Sequence, residues 1–326
     1  MQHSLFWLLD HYPETGESIA ALHQAALEEA AEADRLGFRS LWLAEHHFLP
    51  VSTVPNPAVL LAAMAQRTHS LRLGPATAVL PLRHPAQVVE DYAMVDSLSG
   101  GRLNLGVGSG SDRSEYEPFG IAFEDRRELY REHLAEIRQR WRTAAEGQLG
   151  PSSVNVAPIQ GPAPPIYVAT MNADTAYRVG LAGDSLLTLI SPATESLEEV
   201  AERVEQHARG LREAGAADAS AEAIVMAFAH VAETEEEARS TAIPALARLM
   251  HTMSGSPLPD AEAFYLEMKR KGIGLFGTRQ EVAAKIDRLA DLGIDHLAFV
   301  SRFGGMPKGC ALHSLRRLSN LRRIAA

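Results

Sequence analysis

Short apolar runs alternate with longer amphipathic segments along the whole chain of 326 residues, and this alternation constrains the fold more than any other feature. Short apolar runs are typical of buried parallel strands, and apolar residues every three to four positions are typical of helices. Eight strand-then-helix units in one chain favour a (β/α)8 TIM barrel, spanning residues 1–326 as a single domain, over a doubly wound open sheet. The predicted strands are residues 4–9, 40–44, 71–77, 102–107, 165–169, 184–188, 223–231 and 294–300.

Two segments exceed the length that an ideal barrel needs. Residues 147–164 are rich in Gly, Pro, Ser and Gln and form a predicted insertion before strand 5. Residues 252–276 form a second insertion, between strands 7 and 8, with an extra helix predicted at 260–271. Insertions on a barrel commonly serve as lids or pocket walls.

Composition excludes several classes of function. The net charge of −10 argues against a nucleic-acid partner. The single cysteine, Cys310, excludes an intrachain disulfide and a cysteine-rich zinc site. Residues 1–10 lack the features of a secretory signal, and no stretch approaches the roughly 20 apolar residues of a membrane span. We therefore expect a cytoplasmic protein that acts on a small molecule.

The second predicted strand ends abruptly in Glu45, His46 and His47, followed by Phe48. Barrel enzymes build their active sites at the carboxyl ends of the strands, and histidine changes its charge near neutral pH. Glu45 and His46 are therefore candidates for proton transfer. Successive side chains on a strand point to opposite faces, so only one of the two histidines can face the barrel axis.

A catalytic metal is not expected. Metal-dependent barrels commonly place two histidines at alternate positions of one strand, and none of the 13 histidines here has that spacing. The HExxH helix motif is absent as well.

Two stretches are candidates for binding a phosphate group. Gly106 and Gly108 begin a glycine-rich turn, but Ser111 stands where a GxGxxG motif needs its third glycine. The stretch from Thr170 to Asn172 joins a strand end to a helix start, where free amides attract anions. An ordinary helix N-cap by Asn172 explains the same residues equally well.

Several motifs together resemble the bacterial luciferase-like flavin monooxygenases, over essentially the whole chain. They are Ala44-Glu45-His46-His47-Phe48, Gly74-Pro75-Ala76-Thr77-Ala78, Ser99-Gly100-Gly101-Arg102-Leu103, Pro164-Pro165-Ile166-Tyr167-Val168-Ala169, Gly277-Thr278 and Phe303-Gly304-Gly305-Met306-Pro307. The resemblance implies a barrel that binds FMN already reduced by a separate flavin reductase. It also implies a two-component FMN-dependent monooxygenase, in which O2 forms a C4a-(hydro)peroxyflavin that oxygenates a small organic substrate.

The resemblance also implies roles for individual residues. His46 matches the active-site histidine of the family, and Glu45 would support the strand end beside the flavin. Ala76 and Thr77 fall where the family has a non-proline cis peptide under the isoalloxazine ring. Residues matched to phosphate binding are Arg127 and the backbone amides of Thr170 and Met171.

This chain departs from the light-emitting members of the family. Gly108 stands where they carry a reactive cysteine, and Ser109 stands where they carry a phosphate-binding arginine. Arg113 and Arg126 are candidates to replace that arginine. Residues 252–276 are shorter than the long mobile loop of the light-emitting subunit, so we expect an oxygenase that emits no useful light.

The substrate and the oligomeric state are less constrained. Candidate walls of a substrate pocket are Phe6, His11, Phe48, Phe276 and Phe303, each of which ordinary core packing also explains. The resemblance further suggests a homodimer packed through helices near strands 2 and 3, where residues 56–68 are rich in alanine.

Three other functions remain open. One is a dehydrogenase of the same superfamily that uses the deazaflavin F420 for hydride transfer. Another is a non-catalytic flavin-binding or storage protein. The last is a barrel hydrolase without a cofactor, which the scarcity of acid–base groups at the predicted strand ends disfavours.

Overall fold

The computed structural model describes residues 1–147, 154–216 and 221–323. These ranges contain ten strands and ten α-helices, which alternate except that β4 follows β3 and α8 follows α7. The strands are β1 Gln2–Trp7, β2 Ser40–Leu43, β3 Arg72–Pro75, β4 Ala78–Val79, β5 Leu105–Gly108, β6 Ile166–Ala169, β7 Ser185–Ile190, β8 Ala223–Ala232, β9 Leu275–Thr278 and β10 His296–Arg302.

The helices cover the outside of the sheet. They are α1 Ile19–Arg35, α2 Pro57–Ala65, α3 Pro85–Ser99, α4 Arg126–Ala145, α5 Ala173–Leu181, α6 Leu197–Glu213, α7 Glu235–Ser254, α8 Ala261–Lys271, α9 Arg279–Asp291 and α10 Lys308–Ser319. Most begin at a side-chain cap that accepts a backbone N–H bond, such as Ser18 for α1 and Thr278 for α9. Among the described helices, none is both long and apolar enough to cross a membrane.

The strands form a nearly closed parallel barrel, which confirms the predicted fold class. Neighbouring strands follow the order β3-β2-β1-β10-β8-β7-β6-β5-β4. A parallel bridge between Leu73 on β3 and Leu103 just before β5 brings the two ends of this order together. Every strand pair is parallel, so all carboxyl ends of the barrel strands meet at one rim.

Two details of the barrel differ from the sequence prediction. The predicted third strand, residues 71–77, is divided into β3 and β4 at the peptide bond between Ala76 and Thr77, which is cis. An additional strand, β9, pairs in parallel with the carboxyl-terminal half of β8, outside the barrel. The helix predicted at 260–271 is present as α8, whereas residues 148–153 of the first predicted insertion lie outside the described residues.

Polar side chains fill the amino-terminal end of the barrel. Ser4 Oγ lies 2.7 Å from His296 Nε2 and 2.7 Å from Ser40 Oγ. Glu222 accepts hydrogen bonds from His296 Nδ1 at 2.8 Å and from the Tyr167 hydroxyl at 2.6 Å. Burial opposes ionisation of Glu222, but these hydrogen bonds and the His296 charge lower its pKa to about 2. This network closes the end opposite the rim, so a ligand cavity has to open at the carboxyl ends of the strands.

Candidate active site

A cavity of about 350 Å³ opens at the carboxyl ends of the barrel strands. Its floor includes the apolar side chains of Leu187, Leu189 and Met226 on β7 and β8. Nine of the residues predicted from the sequence line it together: Phe6, Glu45, His46, Ala76, Thr77, Gly108, Ser109, Thr170 and Met171. A concave, largely apolar pocket with a few converging polar groups is the usual form of a small-molecule site.

His46 and His47, at the end of β2, share one carboxylate partner. Glu115 Oε1 lies 3.0 Å from His46 Nδ1 and accepts a 2.7 Å hydrogen bond from the His47 backbone N–H. Glu115 is buried, whereas the His46 side chain keeps 28% of its surface exposed and lines the cavity. His46 is therefore the histidine that faces the cavity.

Glu45 is buried beside the cavity and only half of its carboxylate is satisfied. Oε1 lies 3.2 Å from His47 Nε2, whereas Oε2 has no hydrogen-bond partner among the described residues. A buried carboxylate oxygen without a donor costs free energy. The Glu45 side chain is fully buried, so this oxygen is enclosed by protein atoms.

The Ala76–Thr77 segment forms one wall of the cavity, and its cis peptide bond agrees with the prediction. Gly108 on β5 lies against it. A Cβ atom at Gly108 would come within 2.5 Å of Thr77 Oγ1. Only glycine allows the backbone of β5 to approach this segment so closely.

The start of α5 lies at another side of the cavity, where Thr170 and Met171 line it. Asn172 caps the helix by accepting the Thr175 N–H at 2.9 Å, so the N-cap interpretation describes its side chain. The Thr170 N–H donates to the Leu187 carbonyl, and the Asn172 N–H donates to Thr170 Oγ1. Two amides at this turn are thus engaged within the protein, and an anion there would be attracted by the Met171 amide and the helix dipole.

None of the three candidate arginines lines the cavity. Arg127 is exposed at the second position of α4. Arg126 lies over the Phe123 ring, with its guanidinium carbon 3.8 Å from the centroid. Arg113 lies over the same ring at 4.8 Å and forms an ion pair with Glu124. The residues that line the cavity, all within the described ranges, include no lysine or arginine.

The five predicted pocket-wall residues are distributed over different environments. Phe6 on β1 lines the cavity. His11 is partly buried, with Nε2 lying 2.8 Å from the Glu17 carbonyl oxygen. Phe48 is 70% exposed and packs beside Phe119 with the ring centroids 5.7 Å apart. These two lie outside the lining of the cavity.

Phe276 and Phe303 are fully buried core residues rather than cavity walls. Phe276 on β9 stacks on Tyr265, with a centroid separation of 5.4 Å. Phe303, just after β10, packs edge-on against Phe228 at 5.2 Å. Both rings serve to pack β9 and α8 against the barrel, so the core-packing explanation describes them.

Sequence reasoning did not identify Glu115. It lies 69 positions after His46, in a short 3-10 turn, Arg113–Glu115, that follows β5. Irregular segments have no hydrophobic period that would show which way a side chain points. The available signal was an acid shortly after the Gly-Ser-Gly turn at the carboxyl end of a barrel strand, although Asp112 and Glu117 share that position. No group of three or more His, Cys, Asp or Glu side chains placed to hold a metal ion occurs in the described part of the chain.

With this geometry established, the chain can be compared with known proteins. The model of the luciferase-like monooxygenase family matches residues 1–296, and the chain belongs to this family. It is 30% identical over 326 residues to the uncharacterized protein y4wF of Sinorhizobium fredii, covering 95% of this chain and 93% of that one. It is 29% identical to limonene 1,2-monooxygenase of Rhodococcus erythropolis, covering 90% and 76%. It is 26% identical to the oxygenase component of flavin-dependent trigonelline monooxygenase of Acinetobacter baylyi, covering 85% and 83%.

Solved structures share the fold at lower sequence identity. The monooxygenase RslO1 of Streptomyces bottropensis superimposes with a TM-score of 0.88 at 24% identity and covers all of both chains. The FMN complex of the oxygenating constituent of 3,6-diketocamphane monooxygenase of Pseudomonas putida gives 0.77 at 19% identity, covering 98% and 97%. The F420-dependent tetrahydromethanopterin reductase of Methanopyrus kandleri gives 0.69 at 19% identity, covering 98% and 96%. Proteins of this fold thus use FMN or F420.

Proposed function

We propose that this chain is the oxygenase component of a two-component FMN-dependent monooxygenase that acts on a small organic molecule without useful light emission. The observation that carries the proposal is the cavity itself. It places His46 and the half-satisfied Glu45 at the same rim as the Ala76–Thr77 segment and the start of α5. Membership of the monooxygenase family supports the same reaction class.

The residues present fit a flavin mononucleotide. Ala76, Thr77 and Gly108 line the cavity, and Gly108 presents no side chain where β5 approaches Thr77, which leaves room for a planar ring system. The hydroxyls of Ser109 and Thr170 and the dipole of α5 suit a phosphate. When bound and reduced, FMN would supply the electrons that activate O2.

The chain's own residues would move a proton and keep water away from the flavin. His46 borders the cavity and would hold or transfer the proton that the oxygen chemistry requires. The apolar side chains of Phe6, Leu187 and Met226 would exclude water and limit the wasteful release of hydrogen peroxide.

The absence of cationic side chains from the cavity lining bears on how the flavin is held. A phosphate bound by hydroxyls, an amide and a helix dipole lacks the charge-assisted hydrogen bonds that arginine provides. Weak retention suits a flavin that arrives reduced and leaves oxidised, so we propose a separate flavin reductase as the supplying partner.

We also propose that the chain forms a homodimer through α2 and α3. Val59 on α2 is 70% exposed, and Met94 and Leu98 on α3 are 53% and 46% exposed. The Gln66 side chain joins the two helices by donating to the Leu98 carbonyl at 3.0 Å. Exposed apolar side chains on adjacent helices are typical of a surface that packs against a partner.

The decisive experiment begins with anaerobic titration of the chain with FMNH2, followed by mixing with oxygenated buffer in a stopped-flow spectrometer. We expect saturable binding and reoxidation kinetics that differ from those of free FMNH2. The oxygenated mixture is then screened for products with terpenes, cyclic ketones and N-methylated heterocycles. Substrate-dependent oxygen incorporation would establish the monooxygenase.

Other outcomes would favour the alternatives. Tight binding of oxidised FMN with no substrate-dependent oxygen use would indicate a flavin-binding protein. Failure to bind FMNH2, combined with saturable binding of reduced F420, would indicate an F420-dependent dehydrogenase. Each titration uses the same purified chain, so the cofactor is the only variable.

A further inference from the structure

The buried carboxylate of Glu115 joins the cavity-facing histidine to a part of the chain that is distant in sequence. Its Oε1 atom accepts the His47 N–H at 2.7 Å and lies 3.0 Å from His46 Nδ1. The Glu115 side chain is only 2% exposed, whereas that of His46 is 28% exposed. Both residues line the cavity, and the carboxylate is the buried member of the pair whereas the ring is the accessible one.

We propose that Glu115 is a positioning residue that keeps the proton of neutral His46 on Nδ1, so that Nε2 presents its lone pair to the cavity. A carboxylate oxygen accepts hydrogen bonds, so the contact with Nδ1 is completed by a proton on the ring. Neutral imidazole carries one N–H, which leaves Nε2 as the acceptor. The inference rests on the proposed function, in which His46 takes up a proton.

The same contact has a second effect once Nε2 accepts a proton. The ring then carries a positive charge, and a charge-assisted hydrogen bond to a buried carboxylate is stronger than a neutral one. Glu45, the other carboxylate that lines the cavity, bonds His47 Nε2 instead. The two acids therefore bond different imidazole rings, and Glu115 is the one that contacts the ring of His46.

Contacts of neighbouring residues hold the turn that carries Glu115. Asp112 caps its 3-10 turn by accepting the Ser114 N–H at 2.9 Å, and the Tyr116 hydroxyl donates to the Ser109 carbonyl. Phe119, three residues after Tyr116, packs edge-on against the His47 ring at 5.0 Å. These contacts restrict how far the carboxylate can move from His46, as a positioning role requires.

The direct test is the tautomer of His46 in the full chain labelled with 15N-histidine. A His46→Asn variant identifies the resonances, and imidazole nitrogen shifts distinguish the two tautomers. In the wild type we expect the proton on Nδ1. Glu115→Ala should produce a mixture of tautomers. Glu115→Gln keeps an uncharged acceptor and the shape of the side chain, so it should produce a smaller change in the same direction. Glu117→Gln, at an exposed site two residues away, should leave the spectrum unchanged.

A kinetic test asks whether Glu115 acts through His46. In single turnovers with FMNH2 and O2, Glu115→Gln should slow reoxidation of the bound flavin about tenfold with little change in its dissociation constant. In a His46→Ala background the same substitution should not slow flavin reoxidation any further. Equal slowing of reoxidation in both backgrounds would overturn the positioning role of Glu115. A wild-type His46 ring that carries its proton on Nε2 would overturn it as well.

The two tests separate this inference from the proposed function. If the tautomer changes as expected but the chain consumes no oxygen with any substrate, the positioning role of Glu115 stands and the oxygenase function is rejected. An active oxygenase whose His46 tautomer is indifferent to Glu115 rejects the positioning role alone.

Discussion

Gly108 and Thr77 approach each other so closely that a methyl group on Gly108 would lie 2.5 Å from Thr77 Oγ1 and 3.3 Å from Thr77 Cβ. The first separation is far below van der Waals contact, so one of the two segments would have to move. Both segments line the cavity. Any side chain at position 108 should therefore disturb the wall against which we expect the flavin ring to lie.

Gly108→Ala should weaken FMNH2 binding at least about tenfold and lower stability by about 1–3 kcal/mol, the usual cost of overpacking. Isothermal titration under anaerobic conditions and urea unfolding measure the two effects. The double variant Gly108→Ala/Thr77→Ala removes the closest atoms and should recover part of both losses. Equal losses in the single and double variants would show that Thr77 is not the source of the effect.

His46→Ala should abolish most of the oxygenation while leaving the flavin site intact. General acid–base groups contribute about 10²–10⁴-fold to rate, so a loss in that range is expected. The measurement is oxygenated product formed per FMNH2 consumed, with the first substrate that the wild-type chain converts. His69→Ala, at an exposed histidine, serves as the control. Unchanged product yield in His46→Ala would remove His46 from the mechanism.

Ser109→Arg should tighten FMN binding because the cavity lining contains no cationic side chain. One charged hydrogen bond to phosphate is worth about 1.5–3 kcal/mol, which corresponds to roughly tenfold or more in the dissociation constant. Riboflavin, which lacks the phosphate, should bind the variant no more tightly than the wild type. A gain for both ligands would contradict a phosphate site beside Ser109.

Val59→Asp should dissociate the proposed dimer. A charge placed in an apolar contact costs about 2 kcal/mol or more, enough to raise the dissociation constant about thirtyfold. Light scattering coupled to size-exclusion chromatography measures the mass across a dilution series. Leu266→Asp, on the similarly exposed apolar surface of α8, should leave the mass unchanged. A wild-type monomer at all concentrations would reject this interface.

Asp10 should make stability depend on pH. Burial raises the pKa of its carboxyl from 3.8 to about 6, although the Gly304 N–H donates to it at 2.5 Å. The folded chain then keeps a proton that the unfolded chain loses, so stability falls as pH rises from about 4 through 6. The loss approaches about 3 kcal/mol above pH 6.

Asp10→Asn retains an acceptor for the Gly304 N–H but removes the ionisation. Urea unfolding at pH 5 and pH 8 should therefore show a smaller loss of stability in the variant than in the wild type. Burial also raises the pKa of Glu29, to about 7, so part of the pH dependence should remain. Asp291→Asn, at an exposed site on α9, is the matched control. Identical pH dependence in Asp10→Asn and wild type would contradict the role of Asp10.

The barrel could be predicted because each strand and each helix has its own pattern of apolar residues in the sequence. Each parallel strand is a short apolar run that the next helix follows, and the acid and histidines at the end of β2 mark the rim directly. The strand β9 was missed because Leu275 and Phe276 lie at the end of the insertion predicted at residues 252–276, in which only a helix was predicted. The apolar pattern has no break where the third strand divides into β3 and β4, so the sequence predicted residues 71–77 as one strand.

The site was predictable only where residues lie at strand ends. Phe303 follows β10, yet its ring packs in the core against Phe228, and Phe276 lies on β9, which pairs with β8 outside the barrel. Glu115 and the engagement of the Thr170 and Asn172 amides depend on loop conformation, which no hydrophobic period encodes. Sequence patterns identify which face a strand residue takes, but not which residues two loops bring into contact.

Aromatic side chains are buried on one side of the rim, around Phe303, and exposed on the other. On the side of β8 and β10, the rings of Phe228, Phe276 and Phe303 are buried and pack against one another and against Tyr265. On the opposite side, Phe48 and Phe119 lie at the surface, 70% and 41% exposed. If the chain is the oxygenase that we propose, we expect changes in the loops after β2 and β5 to alter the size of substrate that it accepts, because those loops carry the exposed rings.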